Sequence, residues 1–277
     1  MTAVVLALCT SVVWGSADFL GGSFSRRLPL ASVALVTQTG ALVTALAALA
    51  IFGGLDAGAV GLGLAGGCFG AVGLLAYYRA LSVGTMGVVA PISATSAVVP
   101  LAVGLASGER PSQLRLAGAL VAFAGAVLAS VQEHRRGGAS RDSVLLALLT
   151  ALCFGGLLTL LGKGSDLGGP VAALLGSRLS TFVLLVAWVA LVRPELTLPG
   201  RRTAAVLLGA GALSASANGL FALATQHGLL SIVSLLTSIY PVTTVALAAA
   251  LLGERLNRVQ AAGVAVVFAG VALVAVG

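Results

Sequence analysis

The sequence predicts an all-α polytopic membrane protein with ten transmembrane helices, arranged as two inverted five-helix repeats. Composition, the length of the apolar runs and an internal repeat predict this fold. Of the 277 residues, 59% are hydrophobic and only 8% are charged, whereas a soluble domain carries about a quarter charged residues. A water-soluble globular fold is therefore excluded. We expect the lipid bilayer to surround the chain, as a multi-pass protein of the plasma (cytoplasmic) membrane.

Ten apolar runs separated by short polar breaks account for most of the chain. One membrane-spanning helix needs roughly 20 apolar residues, so ten spans use roughly 200 residues. The runs are apolar on every side rather than alternating, which favours helices over barrel strands. The predicted spans cover residues 3–22, 30–52, 59–80, 86–107, 113–131, 144–162, 171–192, 203–224, 229–252 and 259–276.

The predicted spans fall into two related sets of five. The polar connector 132–142 separates a first unit, 1–131, from a second unit, 143–277. A shift of 140 to 145 residues superposes Gly15 on Gly155, Gly108-Glu109-Arg110 on Gly253-Glu254-Arg255, Gly118 on Gly263, and Phe123-Ala124-Gly125 on Phe268-Ala269-Gly270. Because five is odd, the second unit must enter the membrane from the opposite face. Inverted repeats of this kind are typical of secondary transporters.

The residues at the ends of the repeats resemble a known family. Each unit carries Gly-Glu-Arg before a Gly-rich last helix, and the stretch from Ser238-Ile239-Tyr240-Pro241 to Leu256 carries the strongest match, with Trp14-Gly15 also fitting. Over nearly its whole length the chain resembles the EamA branch of the drug/metabolite transporter superfamily. The resemblance implies export or uptake of small metabolites or drugs, with no bound cofactor and no ATP hydrolysis. Its motifs mark the fold rather than the substrate.

Two positions depart from the family pattern. Ser96 stands where the proline matching Pro241 is expected, and Gln38 stands where an arginine is usual. The counterpart of that arginine in the seventh span is retained as Arg178.

Two prolines interrupt corresponding spans, the ninth and the fourth. Pro241 and Pro100 lack the N–H group that would bond the carbonyl four residues earlier, which invites a kink. Broken helices at the midplane are typical of transporter binding sites. An alternative is that the prolines only bend the helices for packing. The hydroxyl residues beside the two predicted breaks are Thr95, Ser96, Thr237 and Ser238.

Two charged residues lie inside predicted spans. Arg178 is a few residues from the centre of its span, where burying a charge costs at least about 2.5–3.5 kcal/mol. It could attract an anionic group of a substrate, or it could pair with helix-end carbonyls. Asp18 shares a helix face with Trp14, one turn away, and is the candidate for proton coupling. The alternative for Asp18 is an orientation towards Arg26 and Arg27 at the end of the span.

Aromatic and amide side chains complete the candidate site. Trp14 is too deep to be an interface anchor, and Trp14, Tyr78 and Tyr240 either line the site or pack between helices. Asn218 needs hydrogen-bond partners in a dry environment, so it either binds substrate or joins helices. The predicted substrate-binding residues are Trp14, Tyr78, Thr95, Ser96, Arg178, Asn218, Thr237, Ser238, Tyr240 and Pro241.

The sequence gives little support for other functional classes. The net charge of +7 is scattered over connectors rather than gathered on a basic face, so nucleic-acid binding is not expected. We find no Gly-rich phosphate loop and no cluster of His and carboxylates, so no metal site or catalytic residue is predicted. Glu109 and Glu254 are expected to be exposed ionic caps beside their arginines.

The predicted function is a secondary transporter that moves a small-molecule substrate, an amino acid or amphipathic amine, by alternating access. Export is the expected direction, and the chain is expected to act as a monomer or weak homodimer. The alternative from another class is an intramembrane enzyme acting on a lipid-linked substrate, since such enzymes can also use inverted repeats.

Charge predicts the orientation. Connectors after odd-numbered spans hold eleven arginines, whereas those after even-numbered spans hold three basic residues, Arg110, Arg115 and Lys163. Basic residues beside spans favour the cytoplasm, so both termini are expected outside, although the family resemblance implies the reverse. A cysteine at Gly138, in a background without the three native cysteines, should react with a membrane-impermeant thiol reagent only after cells are permeabilised. Labelling on intact cells would show that the orientation is the reverse of the one predicted from charge.

Overall fold

The computed structural model describes residues 1–25, 28–83, 89, 92–130, 141–252 and 258–276. This described part contains helices and connectors but no strand. The helices with described bounds are α1 (Thr2–Ser25), α2 (Leu30–Phe52), α3 (Ala57–Val83), α4 (Val98–Ala106), α5 (Gln113–Ser130), α6 (Arg141–Gly168), α7 (Pro170–Val192), α8 (Arg201–Gln226), α9 (Leu230–Thr237), α10 (Tyr240–Leu252) and α11 (Arg258–Val276). A 3₁₀ turn, Thr95–Ala97, leads into α4.

Short connectors with turn-forming residues separate the helices. Gly53 and Gly54 end α2 with positive φ angles of 66° and 83°, a conformation that glycine adopts without strain. The Asp56 carboxylate then accepts a hydrogen bond of 2.7 Å from the Ala59 amide and begins α3. Such an N-terminal cap satisfies an amide that has no partner inside its helix.

Most of the helices are long and apolar enough to cross a bilayer. Eight stretches in the described part meet this description, with α9 and α10 counted together as one. Two further apolar helices are shorter, Ile92–Ala106 and Gln113–Ala129. The class of polytopic all-α membrane protein is therefore confirmed. Ten spans in two inverted repeats, with the unit boundaries given above, remain a prediction.

Helices of one half pack mainly against helices of the other half. Helix α1 contacts α8, α9 and α10, while α6 contacts α3, α4 and the turn before α4. Helix α2 packs against α8, and α3 packs against α7. Under the predicted repeat, each of these contacts is the counterpart of another with the two halves exchanged. Two further contacts, α2 with α7 and α5 with α11, each join a helix to its own equivalent in the other half.

Helices α5 and α11 pack antiparallel through glycines. A side chain at Gly118 would meet the Gly270 carbonyl, and one at Gly125 would meet the Gly263 carbonyl. Small residues at such crossings let membrane helices approach closely. The four glycines that the 145-residue shift superposes therefore all lie at this interface, where each meets the glycine that is not its equivalent in the repeat.

The crossings of α3 with α7 and of α2 with α8 are alike in detail. A side chain at Gly67 would meet the Ser177 carbonyl, and one at Gly211 would meet the Thr37 carbonyl. The Ser180 hydroxyl donates a hydrogen bond of 2.8 Å to the Leu64 carbonyl, which ties α7 to α3. These two crossings keep the two halves in contact over a long, closely packed surface.

Candidate functional site

The ninth predicted span is broken near its middle. Helix α9 ends at Thr237 and α10 begins at Tyr240. Between them, the Ser238 amide donates to the Ser234 carbonyl at 3.1 Å and the Ile239 amide to the Leu236 carbonyl at 3.3 Å. Pro241 follows directly, so the interruption predicted from this proline is observed.

The two hydroxyls at the break are occupied as hydrogen-bond donors. Thr237 Oγ1 donates to the Ser234 carbonyl at 3.0 Å, and Ser238 Oγ donates to the Leu235 carbonyl at 2.7 Å. Both side chains are buried. The same kind of bond to the preceding turn occurs inside continuous helices, as at Thr37 and Ser177, so it does not by itself explain the break. The contact of Thr237 and Ser238 with substrate remains a prediction.

Three aromatic rings from three helices meet beside the break. The Trp14 ring of α1 stacks on Phe221 of α8 with centroids 6.2 Å apart and an interplanar angle of 25°. It meets Tyr240 of α10 edge-on, with centroids 6.3 Å apart and an angle of 74°. Phe221 is fully buried, whereas Trp14 and Tyr240 keep part of their surface accessible. We call these three residues the aromatic cluster.

Close packing of α1 on α10 holds the aromatic cluster together. A side chain at Gly15 would meet the Tyr240 carbonyl and the Thr243 side chain. The Thr244 hydroxyl donates a hydrogen bond of 3.1 Å to the Gly15 carbonyl. The glycine after Trp14 therefore allows the contact that places the tryptophan against Tyr240.

Asp18 extends the interior face of α1. Ala7, Ser11, Trp14 and Asp18 follow one another at intervals of four, three and four residues, which places them on one helix face. Ala7 and Ser11 are buried, at 0% and 3% exposure, and the Trp14 ring packs inward. The carboxylate of Asp18 therefore belongs to the side of α1 that faces the other helices.

The Asp18 side chain is nevertheless exposed. On its helix face it follows Trp14 by one helical turn. Its exposure contrasts with the burial of Ala7 and Ser11 on the same face of α1. The alternative orientation towards Arg26 and Arg27 concerns arginines that lie outside the described residues.

The equivalent face of α6 is built differently. Phe154 stands where α1 has Trp14 and packs against Tyr77 with ring centroids 6.3 Å apart. Leu158 stands where α1 has Asp18 and is buried, at 6% exposure. The two halves therefore offer similar aromatic contacts, but only the first places an acidic side chain beside them.

The turn before α4 occupies the position that corresponds to the break in the ninth span. A side chain at Gly155 of α6 would meet the Ser96 carbonyl, just as one at Gly15 would meet the Tyr240 carbonyl. Thr95 Oγ1 donates to the Ile92 carbonyl at 2.6 Å, and Ser96 is buried. Thr95 and Ser96 therefore pack against α6 rather than against the aromatic cluster.

Arg178 and Asn218 lie on the neighbouring helices α7 and α8. Arg178 is only 6% exposed, and its Nη2 donates to the Ser214 carbonyl at 3.2 Å. Its Nε is buried without a hydrogen-bond partner. Asn218 is 2% exposed and stands one helical turn from Phe221. The Ser214 carbonyl lies in the middle of α8 rather than at a helix end, so this bond joins α7 to α8, and substrate binding by Arg178 remains a prediction.

Two further predictions concern residues elsewhere. The side chain of Tyr78 lies outside the described residues. The expectation that Glu109 is an exposed ionic cap is wrong, because Glu109 is half-buried and its carboxylate binds backbone amides of α9. Its oxygens Oε1 and Oε2 accept from the amides of Leu230 and Ser231 at 2.8 and 2.9 Å.

Sequence reasoning missed Phe221, although it is central to the aromatic cluster. A phenylalanine within an apolar run carries no signal of its own. Its spacing of three residues from Asn218 on the same helix was the available clue, since residues three apart share a face.

A comparison with family models matches the second half of the chain. Residues 142–276 are similar to the EamA-like transporter family. The resemblance inferred from the sequence is confirmed for these residues. The matched half contributes Tyr240, Phe221 and Arg178, whereas Trp14 and Asp18 come from the other half.

A solved structure shares the fold of the whole chain. This crystal structure of a protein superposes with a TM-score of 0.81 at 20% identity, covering 99% of this chain and 98% of that one. At this identity the likeness concerns the fold alone. A comparison with curated proteins gives no match.

Proposed function

We propose that the protein is a secondary transporter that moves a small amphipathic amine through a site between two inverted repeats. The observation that carries this proposal is the position of the aromatic cluster and Asp18. Both lie beside a broken helix, and both halves of the chain contribute to them. Broken helices at a repeat interface are where secondary transporters bind their substrates.

The contacts between the halves support alternating access. Antiparallel packing of α5 on α11 is what equivalent helices of two inverted repeats would give. The similar crossings of α3 with α7 and of α2 with α8 agree with the same relation. Rocking of one group of helices against another around the central site would then expose the site to each face in turn.

The chemistry of the site favours a cationic, partly apolar solute. Aromatic faces attract a positively charged group within about 6 Å of the ring centroid. The Asp18 carboxylate supplies the opposite charge on the same face of α1 as Trp14. An amphipathic amine can satisfy the carboxylate and the rings together, so we favour it over the amino acids also predicted from the sequence.

The test of transport uses purified protein in liposomes. A panel of labelled amines and amino acids should include at least one amine whose uptake into the vesicles exceeds that of protein-free vesicles. The solute recovered from the vesicles should be chemically unchanged. Turnover of an added lipid-linked substrate without solute flux would support the enzyme and contradict transport. Inside-out vesicles from cells test whether export is the direction.

Coupling to protons through Asp18 is tested separately. We expect Asp18→Asn to abolish the acceleration of amine flux by an imposed pH gradient, because a side-chain amide cannot bind and release a proton as a carboxylate can. Asp142→Asn, at the exposed start of α6, is the matched control and should keep the full response. A fully responsive Asp18→Asn protein would exclude Asp18 as the coupling residue.

A further inference from the structure

The contact between Glu109 and α9 joins segments 121 residues apart. Glu109 lies in the connector between α4 and α5, whereas Leu230 and Ser231 begin α9 after the connector from α8. Each carboxylate oxygen accepts one of these two amides. Bonds of this kind, from an ionised acceptor, are among the stronger hydrogen bonds in proteins, and a carboxylate is favoured at a helix N-terminus.

The local backbone is shaped around this carboxylate. The Glu109 amide donates to the Gly104 carbonyl at 3.0 Å, which folds the connector back over the end of α4. A side chain at Gly104 would meet the Glu109 carboxylate. Glycine at this position therefore leaves room for the carboxylate between α4 and the start of α9.

The contact lies at one face of the membrane protein, which we call the Glu109 face. Gly228, just before α9, lies against Ala3 near the start of α1. Asp18 is 15 residues further along α1, about 22 Å towards the opposite face at 1.5 Å per residue. The Glu109 contact and the exposed Asp18 therefore lie towards different faces.

Residues of the interrupted span are more deeply buried towards the Glu109 face than towards the opposite face. All residues from Leu230 to Ile239 are buried, whereas from Val242 to Val245 they are only partly buried. The equivalent positions Leu158 and Asp18 show the same difference. Leu158, nearer the Glu109 face, is buried, whereas Asp18, nearer the opposite face, is exposed. Helix α4 packs against α9, which is the buried part of the interrupted span.

We propose that Glu109 is a positioning residue that fastens α4 to the start of α9 and so holds the transport pathway shut at the Glu109 face. This inference rests on the proposed alternating access, in which α4 and α9 separate when this face opens. Separation of the two helices breaks both hydrogen bonds and exposes the two amides of α9 to water.

The experiment measures distances in the full chain, reconstituted in liposomes, with its native cysteines replaced by alanine. Spin labels at the exposed residues Ser107 and His227 report on the Glu109 face, and labels at Val83 and Leu251 report on the opposite end of the interrupted span. Glu109→Gln, Glu109→Ala and the control Glu195→Gln, an exposed carboxylate in the connector after α7, are compared with the wild-type side chain at 109.

We expect the Ser107–His227 distances of both Glu109 variants to gain a longer population, with the ratio of open to closed protein rising about tenfold or more. The Val83–Leu251 distances should gain a shorter population that rises by the same factor, because one face closes as the other opens. Glu195→Gln should leave both distributions unchanged. Wild-type distributions in both Glu109 variants would overturn the proposal, as would lower thermal stability without any change in distances.

Solute flux in the same liposomes separates this inference from the proposed function. Flux with unchanged distances in the Glu109 variants would contradict the role of Glu109 and leave transport standing. Shifted distances in a protein that moves no solute would contradict transport and leave the conformational role standing.

Discussion

Leucine at Gly211 is expected to lower the melting temperature of the detergent-solubilised protein by about 2–12 °C, or to prevent its accumulation. Any side chain here meets the Thr37 carbonyl of α2, so the two helices must move apart. Overpacking of this kind costs about 1–3 kcal/mol, and in a chain of this size each kcal/mol lowers the melting temperature by about 2–4 °C.

Gly209 provides a matched control two residues away in α8. A side chain there would meet nothing within 4 Å, so Gly209→Leu should change the melting temperature by less than about 2 °C. Gly67→Leu at the equivalent crossing of α3 with α7 should be as harmful as Gly211→Leu, since it meets the Ser177 carbonyl. Equal stability of Gly211→Leu and Gly209→Leu would show that the α2–α8 crossing is not closely packed.

Alanine at Trp14 is expected to reduce the initial rate of amine uptake about tenfold or more. The substitution removes the ring that contacts both Phe221 and Tyr240, and a cation–π contact in a dry site contributes up to about 2 kcal/mol or more. Trp14→Phe keeps an aromatic face and should retain more activity than Trp14→Ala. The measurement is uptake by liposomes, normalised to the amount of folded protein.

Phe154→Ala is the control for this prediction. Phe154 occupies the equivalent position in α6 and packs against Tyr77, so its loss removes a similar aromatic contact. Because Leu158 rather than an acid follows it, the amine should bind elsewhere, and uptake should fall by less than about threefold. Equal losses of uptake in Trp14→Ala and Phe154→Ala would contradict an asymmetric site.

Much of the fold can be predicted from the sequence, because the features that determine the helices and their breaks are local. Apolar runs of sufficient length place the helices, and Pro241 predicts the break between α9 and α10 through the N–H group that it lacks. The 145-residue shift also picks out the four glycines at the contact of α5 with α11, although it does not predict which of them meet. These inferences require only helix periodicity and the chemistry of single residues.

The site was harder to predict because tertiary contacts assemble it. Trp14 and Tyr240 were identified as aromatic residues inside spans, but their contact depends on how α1 crosses α10 at Gly15. Phe221 resembles any other apolar residue of its run. Glu109 was misjudged because neighbouring arginines suggested an exposed carboxylate, whereas its partners lie 121 residues away in sequence.

The paired glycines of α5 and α11 also bear on how the chain is built. Gly118 meets Gly270 and Gly125 meets Gly263, so each contact occurs twice with the roles of the two helices exchanged. In a homodimer, such an arrangement is an isologous interface, in which one surface is complementary to itself. Under the predicted repeat, the fold has the geometry of two subunits fused into one chain. Unlike the identical subunits of a homodimer, fused copies can differ in sequence, so one can carry an acid, Asp18, where the other carries Leu158.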